Sequence, residues 1–188
     1  MASETSRPTR CRDLDANTKI YGRTEEFALE TVACRKDSDG IYGRLRLWLA
    51  GRAIGDFTDD GVWLSVSARW GRTFLSRNTD RGRYDLDQAG PKELYHRVYG
   101  RFLADRYPEF ENTDFGDTEP HDDSPFLLDD VGESSWRDRD SVIVIRRADG
   151  KDRVIVRKFI TNETSETIVG EGVVDSVISE YCEWVESL

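Results

Sequence analysis

The strongest constraint on the fold of this chain is an apolar hairpin late in the sequence. Two runs rich in β-branched residues, 141–147 and 152–159, flank residues 148–151, whose Asp-Gly pair is typical of a tight β-turn. Successive side chains of a strand point to opposite faces, so one face carries valines and the other isoleucines. The valines are Val142, Val144, Val154 and Val156, and the isoleucines are Ile143, Ile145 and Ile155. Because both faces are apolar, we expect this pair to be central in its sheet.

Shorter patterns elsewhere predict more strands and two further helices. The predicted strands are residues 27–32, 41–49 and 52–54, and the predicted helices are residues 91–107 and 171–187. In the second of these strands Leu45, Leu47 and Leu49 share one face, and the opposite face carries Arg44, Arg46 and Trp48.

Residues 62–75 carry two competing periodicities. Val62, Leu64 and Val66 alternate as in a strand, whereas a helix would place a different set on one stripe. That set is Trp63, Val66, Trp70 and Phe74. We favour the helix, with this stripe facing the core.

The order of these elements predicts the α+β class. Sequential hairpins without strand–helix–strand alternation indicate a mostly antiparallel sheet packed against two or three helices in a single domain. Residues 1–18 lack periodicity and are predicted to be a flexible polar tail, which leaves residues 19–188 for the domain.

The negative charge of the chain is confined to one segment. The formal net charge is −10, from 27 Lys and Arg against 37 Asp and Glu. Residues 107–136 contain ten acids and no Lys or Arg, so the rest of the chain balances at 27 against 27. Within this segment, residues 108–135 are predicted to form a long acidic loop. The charge argues against binding to nucleic acid or to an anionic membrane.

The compartment is predicted from what the sequence lacks. No apolar run is long enough for a signal peptide or a membrane span, so we expect a cytoplasmic protein. The cysteines, Cys11, Cys34 and Cys182, show no CxxC spacing, and neither a disulfide framework nor a zinc site is expected.

The sequence offers no catalytic motif, and no cofactor is predicted. Phosphate-binding glycine loops are absent. One alternative stays open: a divalent-metal site or small enzyme built from acidic-loop residues, although their spacing does not match an EF-hand. These residues are Asp117, Glu119, His121 and Asp122.

A partner-docking role is the better interpretation of the acidic loop. Trp136, beside the loop, is the tryptophan most open to an interface role. The candidate docking residues are Asp114, Asp117, Glu119, Asp122, Asp123, Asp129, Asp130 and Trp136. The arginines between residues 69 and 83 are instead expected to pair with acids of the chain itself.

Two stretches resemble a known family. Residues 19–29 (KIYGRTEEFAL) and 43–56 (GRLRLWLAGRAIGD) are similar to motifs of the immunity protein 42 family of bacterial polymorphic-toxin systems. The late hairpin and the C-terminal helix follow in the order expected of that family. The resemblance implies a small cytoplasmic antidote that binds a toxin and blocks it, without catalytic residues. Many toxins act on nucleic acid through basic clefts, and an acidic loop suits such a partner.

Overall fold

The computed structural model describes residues 18–82, 84–103, 125–137 and 139–188. It confirms the predicted α+β class, with the strands divided between two antiparallel sheets. The first sheet contains β1 (Lys19–Arg23), β2 (Phe27–Lys36), β3 (Ile41–Leu49), β4 (Arg52–Ile54) and β5 (Val62–Trp63). The second contains β6 (Asp140–Arg146), β7 (Asp152–Lys158) and β8 (Glu163–Val169). The helices are α1 (Leu64–Ser76), α2 (Tyr84–Asp87), α3 (Pro91–Leu103), α4 (Asp129–Gly132) and α5 (Val173–Ser187).

β3 organises the first sheet. Its whole length pairs with β2, while its other edge pairs with β4 near one end and with β5 near the other. Between these two short pairings, the carbonyl oxygen of Leu45 accepts a hydrogen bond from the hydroxyl of Ser135. A turn from the second half of the chain therefore closes the gap in this edge.

The two faces of β3 are those that its alternation predicts. Leu45, Leu47 and Leu49 are buried in the main core. On the outer face, Arg46 and Trp48 both donate to one carboxylate oxygen of Glu30 on β2, each at 2.6 Å. The outer face is thus held together by polar and aromatic side chains.

Helices α1 and α5 pack together over the inner face of the first sheet. The buried face of α1 includes Ser67, Ala68 and Gly71, which are small enough to let α5 approach closely. A Cβ atom added to Gly71 would lie 2.6 Å from the sulfur of Cys182.

The predicted helix in this region is confirmed from Leu64 onward, but its predicted core-facing stripe is wrong. Trp63 and Trp70 are 36% and 37% exposed, and only Phe74 of that stripe is fully buried. The close contact with α5 selects small side chains for the buried face and turns the tryptophans outward.

The second sheet confirms the predicted hairpin and its two apolar faces. The valine face joins the main core, and the isoleucine face packs on Leu94, Tyr95 and Val98 of α3 in a second cluster. Both strands of the hairpin were predicted to be central in their sheet. In the strand order β6-β7-β8, only β7 is central, and β6 is an edge strand. Backbone hydrogen bonds from residues 126–128 cover the outer edge of β6 instead.

Four charged side chains link α5 to the second sheet. Arg146 donates to Asp152 at 2.6 Å and to Asp175 at 3.0 Å, and Asp175 also accepts from Arg81 at 2.5 Å.

The predicted pairing of the arginines between residues 69 and 83 with acids of the chain itself is confirmed for two of them. Arg81 pairs with Asp175, and Arg72 pairs with Glu186 at 2.8 Å.

The cysteine prediction is only partly correct. Cys182 is free and buried, whereas Cys34 is disulfide-bonded. Among the described helices, none combines the length and apolar character that a membrane span needs.

Candidate acidic docking site

The structure describes only part of the predicted docking set. Asp114, Asp117, Glu119, Asp122 and Asp123 lie outside the described residues, as does His121 of the alternative metal site. Asp129, Asp130 and Trp136 are described. Within the described ranges, no group of three or more His, Cys, Asp or Glu side chains is arranged to hold a metal ion.

Trp136, which was expected to meet a partner, does not lie at the surface. Its side chain is fully buried in the main core, against the backbone of Gly132 and near Gly55. The indole ring of Trp136 packs directly on Gly132, and a Cβ atom at residue 132 would clash with the ring. Trp136 therefore anchors the segment 132–136 to the core.

Asp129, another predicted docking residue, is likewise buried. The residue is 5% exposed, and its carboxylate accepts a hydrogen bond from the backbone N–H of Val142 at 2.6 Å. Burial raises the pKa of Asp129 well above its usual range, because desolvation penalises the charged form.

Asp130, by contrast, belongs to a half-exposed acidic surface, here called the acidic rim. The rim has five carboxylates, drawn from the loop between β4 and β5 and from the segment around α4. They are Asp56, Asp59, Asp60, Asp130 and Glu133. Two arginines pair with it: Arg137 lies 3.5 Å from Asp130, and Arg139 lies 3.1 Å from Asp56. The five acids therefore keep an excess of negative charge.

Hydrogen bonds tie the two segments of the rim together. Ser134 donates its hydroxyl to Asp59 at 2.7 Å, and the backbone N–H of Asp56 donates to the carbonyl of Ser135 at 2.9 Å. Asp56 also accepts hydrogen bonds from the hydroxyl and the backbone N–H of Thr58, which hold the pKa of its carboxyl low. The loop is thus fixed in place before any partner arrives.

Glu133 is a half-buried rim residue that directly follows α4. Its backbone has a φ of +47°, a left-handed conformation that is uncommon outside glycine. Partial burial raises the pKa of its carboxyl, the nearby Asp130 adds to that effect, and Arg137 and Arg69 oppose it. The rim is a preformed anionic surface, and it can bind a cationic one.

The loop acids are the residues that sequence reasoning missed. In the sequence analysis, Asp56 is part of the stretch 43–56 that resembles the family, and it is not a docking candidate. Asp59 and Asp60 lie outside the acidic segment 107–136. An available signal was the run Asp59-Asp60-Gly61, since such a sequence between two strands is typical of an exposed turn.

A half-exposed apolar stripe runs from the end of β5 onto α1. Trp63 stacks on Tyr42, with ring centroids 5.6 Å apart and planes 13° apart, and the guanidinium of Arg35 lies 4.1 Å from the centre of the Tyr42 ring. Val66 is half-buried, and Trp70 follows one turn later. We call Trp63, Val66 and Trp70 the tryptophan stripe.

A groove of about 550 Å³ runs between β4 and β8. It carries Arg52 and Lys158 beside Glu163 and Glu166, so its charges are balanced. Glu166 is already paired with Arg153 at 2.7 Å. The groove therefore has less electrostatic preference for a charged partner than the acidic rim.

Comparison with protein families and known proteins gives one match. The family model for Immunity protein 42 matches residues 20–184 of the 188-residue chain. Neither a curated protein nor a solved structure matches this chain. The match runs from β1 into α5 and thus includes both sheets and the candidate site. The chain therefore belongs to the Immunity protein 42 family.

Proposed function

We propose that this chain is a non-catalytic, cytoplasmic antidote that binds a toxin protein and blocks it. The observation that carries the proposal is the family match over residues 20–184. An inhibitor of this kind needs a stable surface that complements its target rather than a reactive group. The acidic rim is such a surface, because hydrogen bonds fix its loop and its five acids outnumber the two arginines that pair with them.

The proposed partner is a toxin domain with a basic cleft, such as that of a nuclease. An anionic surface steers a cationic protein during diffusion and raises the association rate. Asp130 is the rim residue that was also predicted from the sequence. The other predicted docking acids, which precede Asp130 in the chain, are proposed to contribute to toxin binding: Asp114, Asp117, Glu119, Asp122 and Asp123.

Co-expression with the toxin domain encoded by the neighbouring gene tests the function directly. The wild-type chain is expected to restore growth to cells that make the toxin. It is also expected to bind the purified domain, with an association rate that falls about tenfold or more from low to high salt. If wild-type protein neither restored growth nor bound the domain, the proposal would be wrong.

Neutralising the rim tests the docking surface. The variant Asp60→Asn, Asp130→Asn, Glu133→Gln should associate several-fold more slowly at low salt and depend less on salt. Its control, Glu163→Gln, Glu171→Gln, Glu180→Gln, removes the same charge elsewhere and should behave like the wild type. Neutralising Asp117, Glu119, Asp122 and Asp123 together should also slow association. Equal rates for the rim variant and its control would exclude the rim as the docking surface.

A further inference from the structure

We infer that the tryptophan stripe of α1 is the apolar anchor with which this chain holds its toxin. The inference rests on the proposed function and adds to it. The acidic rim accounts for attraction at a distance, whereas the stripe supplies the desolvated contact that keeps the complex together. The occupant is a single partner, a basic toxin domain with an apolar groove beside its cationic surface.

The stripe is apolar surface that the fold leaves open. Trp63 and Trp70 are 36% and 37% exposed and, with the half-buried Val66, they recur at positions i, i+3 and i+7. Val66 and Trp70 lie about one turn apart on α1, and Trp63, the last residue of β5, directly precedes the helix. The opposite side of α1 already packs on α5, so Val66 and Trp70 form a second apolar face of the helix.

The stripe adjoins the acidic rim. Ser67 lies three residues before Trp70, which places the two next to each other on the helix. Its hydroxyl donates to the carbonyl of Val131 in α4, which directly follows the rim residue Asp130. The charge of Arg69, next to Trp70 in the chain, also acts on Glu133. A partner attracted to the rim therefore meets the tryptophans on the same side of the molecule.

The chemistry of the stripe suits an anchor. Tryptophan is enriched among the few interface residues that dominate binding energy, and such residues are surrounded by polar groups that exclude water. Trp63 is held in place by its stack on Tyr42, so less rotamer freedom is lost when a partner covers it. The adjoining carboxylates complement a basic rim around the partner's groove.

Alanine variants of the stripe test the inference against the same toxin domain. Trp70→Ala and Trp63→Ala are each expected to raise the dissociation rate about tenfold or more, with the association rate changed less than threefold. Ile168→Ala is the control, because Ile168 is 42% exposed on β8. It should dissociate at the wild-type rate.

A second readout covers the case in which a variant unfolds. Oxidative footprinting of wild-type protein should show Trp63 and Trp70 protected in the complex, with Ile160, which is 87% exposed, unchanged. If wild-type protein binds while the folded variants dissociate normally and the tryptophans stay unprotected, the inference is wrong and the proposed function stands. Self-association of the wild type that Trp70→Ala abolishes, without an effect on toxin binding, would also overturn it. Absence of wild-type binding would overturn both.

Discussion

Asp129 is a carboxyl group held away from water, and it accepts a hydrogen bond from a backbone N–H. The hydrogen bond from Val142 favours the charged form, but desolvation is the larger effect and raises the pKa. A carboxyl whose pKa is higher in the folded than in the unfolded protein stabilises the fold below its unfolded pKa. That contribution is lost as the pH rises through the folded pKa.

Asp129→Asn is therefore expected to stabilise the protein more at pH 8 than at pH 5, by a difference of about 1 kcal/mol or more. Asparagine keeps an oxygen that can accept from Val142 and has no charge to bury. Urea denaturation at the two pH values measures this difference. Asp130→Asn, at a half-exposed carboxyl, should show little of it. An identical effect of Asp129→Asn at both pH values would contradict the account.

The contact between α1 and α5 shows how closely two elements depend on single side chains. Glycine in a helix interior costs about 1 kcal/mol relative to alanine, so its presence needs a reason. At Gly71 the reason is Cys182, whose sulfur would lie 2.6 Å from an added Cβ. The helix gives up intrinsic stability to gain close packing.

Gly71→Ala should consequently destabilise the protein in the wild-type background, because overpacking costs about 1–3 kcal/mol and exceeds the propensity gain. In a Cys182→Ala background this closest clash is removed and a contact of 3.2 Å with Cγ2 of Ile178 remains, so the same change should cost at least about 1 kcal/mol less. Thermal or urea unfolding of the four proteins in this double-mutant cycle gives the coupling. Additive effects would show that the sulfur is not what excludes the side chain.

Elements whose burial follows a local pattern are the ones that the sequence predicts well. The valine and isoleucine faces of the late hairpin were assignable because side chains alternate strictly along a strand. β8 escaped prediction because six of its seven residues are exposed or half-buried, so no apolar alternation marks it. The buried face of α1 was missed because small residues indicate a helix contact only when the partner helix is known.

The candidate site was predictable only in part for a related reason. Asp130 and Glu133 fall in the acidic segment, but the loop acids join them through long-range contacts with Ser134 and Ser135. Local charge counting also cannot separate Asp130 from its buried neighbour Asp129. Burial of that residue depends on β6, which begins eleven positions later.

At the scale of the whole molecule, a chain of ion pairs joins α5 to the second sheet, and its members should differ sharply in importance. Arg146 is the partner of the fully buried carboxylate of Asp152, so Arg146→Met should cost about 3–5 kcal/mol. Arg81 is buried with two nitrogens that have no hydrogen-bond partner in the described structure. In Arg81→Met, Asp175 would keep its ion pair with Arg146. This variant should therefore change the free energy of unfolding by less than about 1 kcal/mol.

Urea unfolding of both methionine variants measures this contrast. The Arg81 variant keeps an unbranched side chain over the ring of Phe74, on which the guanidinium now lies at 4.2 Å. Equal losses in the two variants would mean that the network acts as one unit rather than through the pairing of Asp152.

The hydrogen bond from the Ser135 hydroxyl to Leu45, which closes the edge of β3, has a consequence for protein synthesis. β1 to β5 are translated by residue 63, but Ser135 emerges from the ribosome more than seventy residues later, and α5 later still. In that interval the growing chain presents an open strand edge and an uncovered leucine face, both of which promote aggregation. Protection of the first sheet is therefore complete only once the second half of the chain has been made, and the acidic rim, which draws on both halves, forms only then.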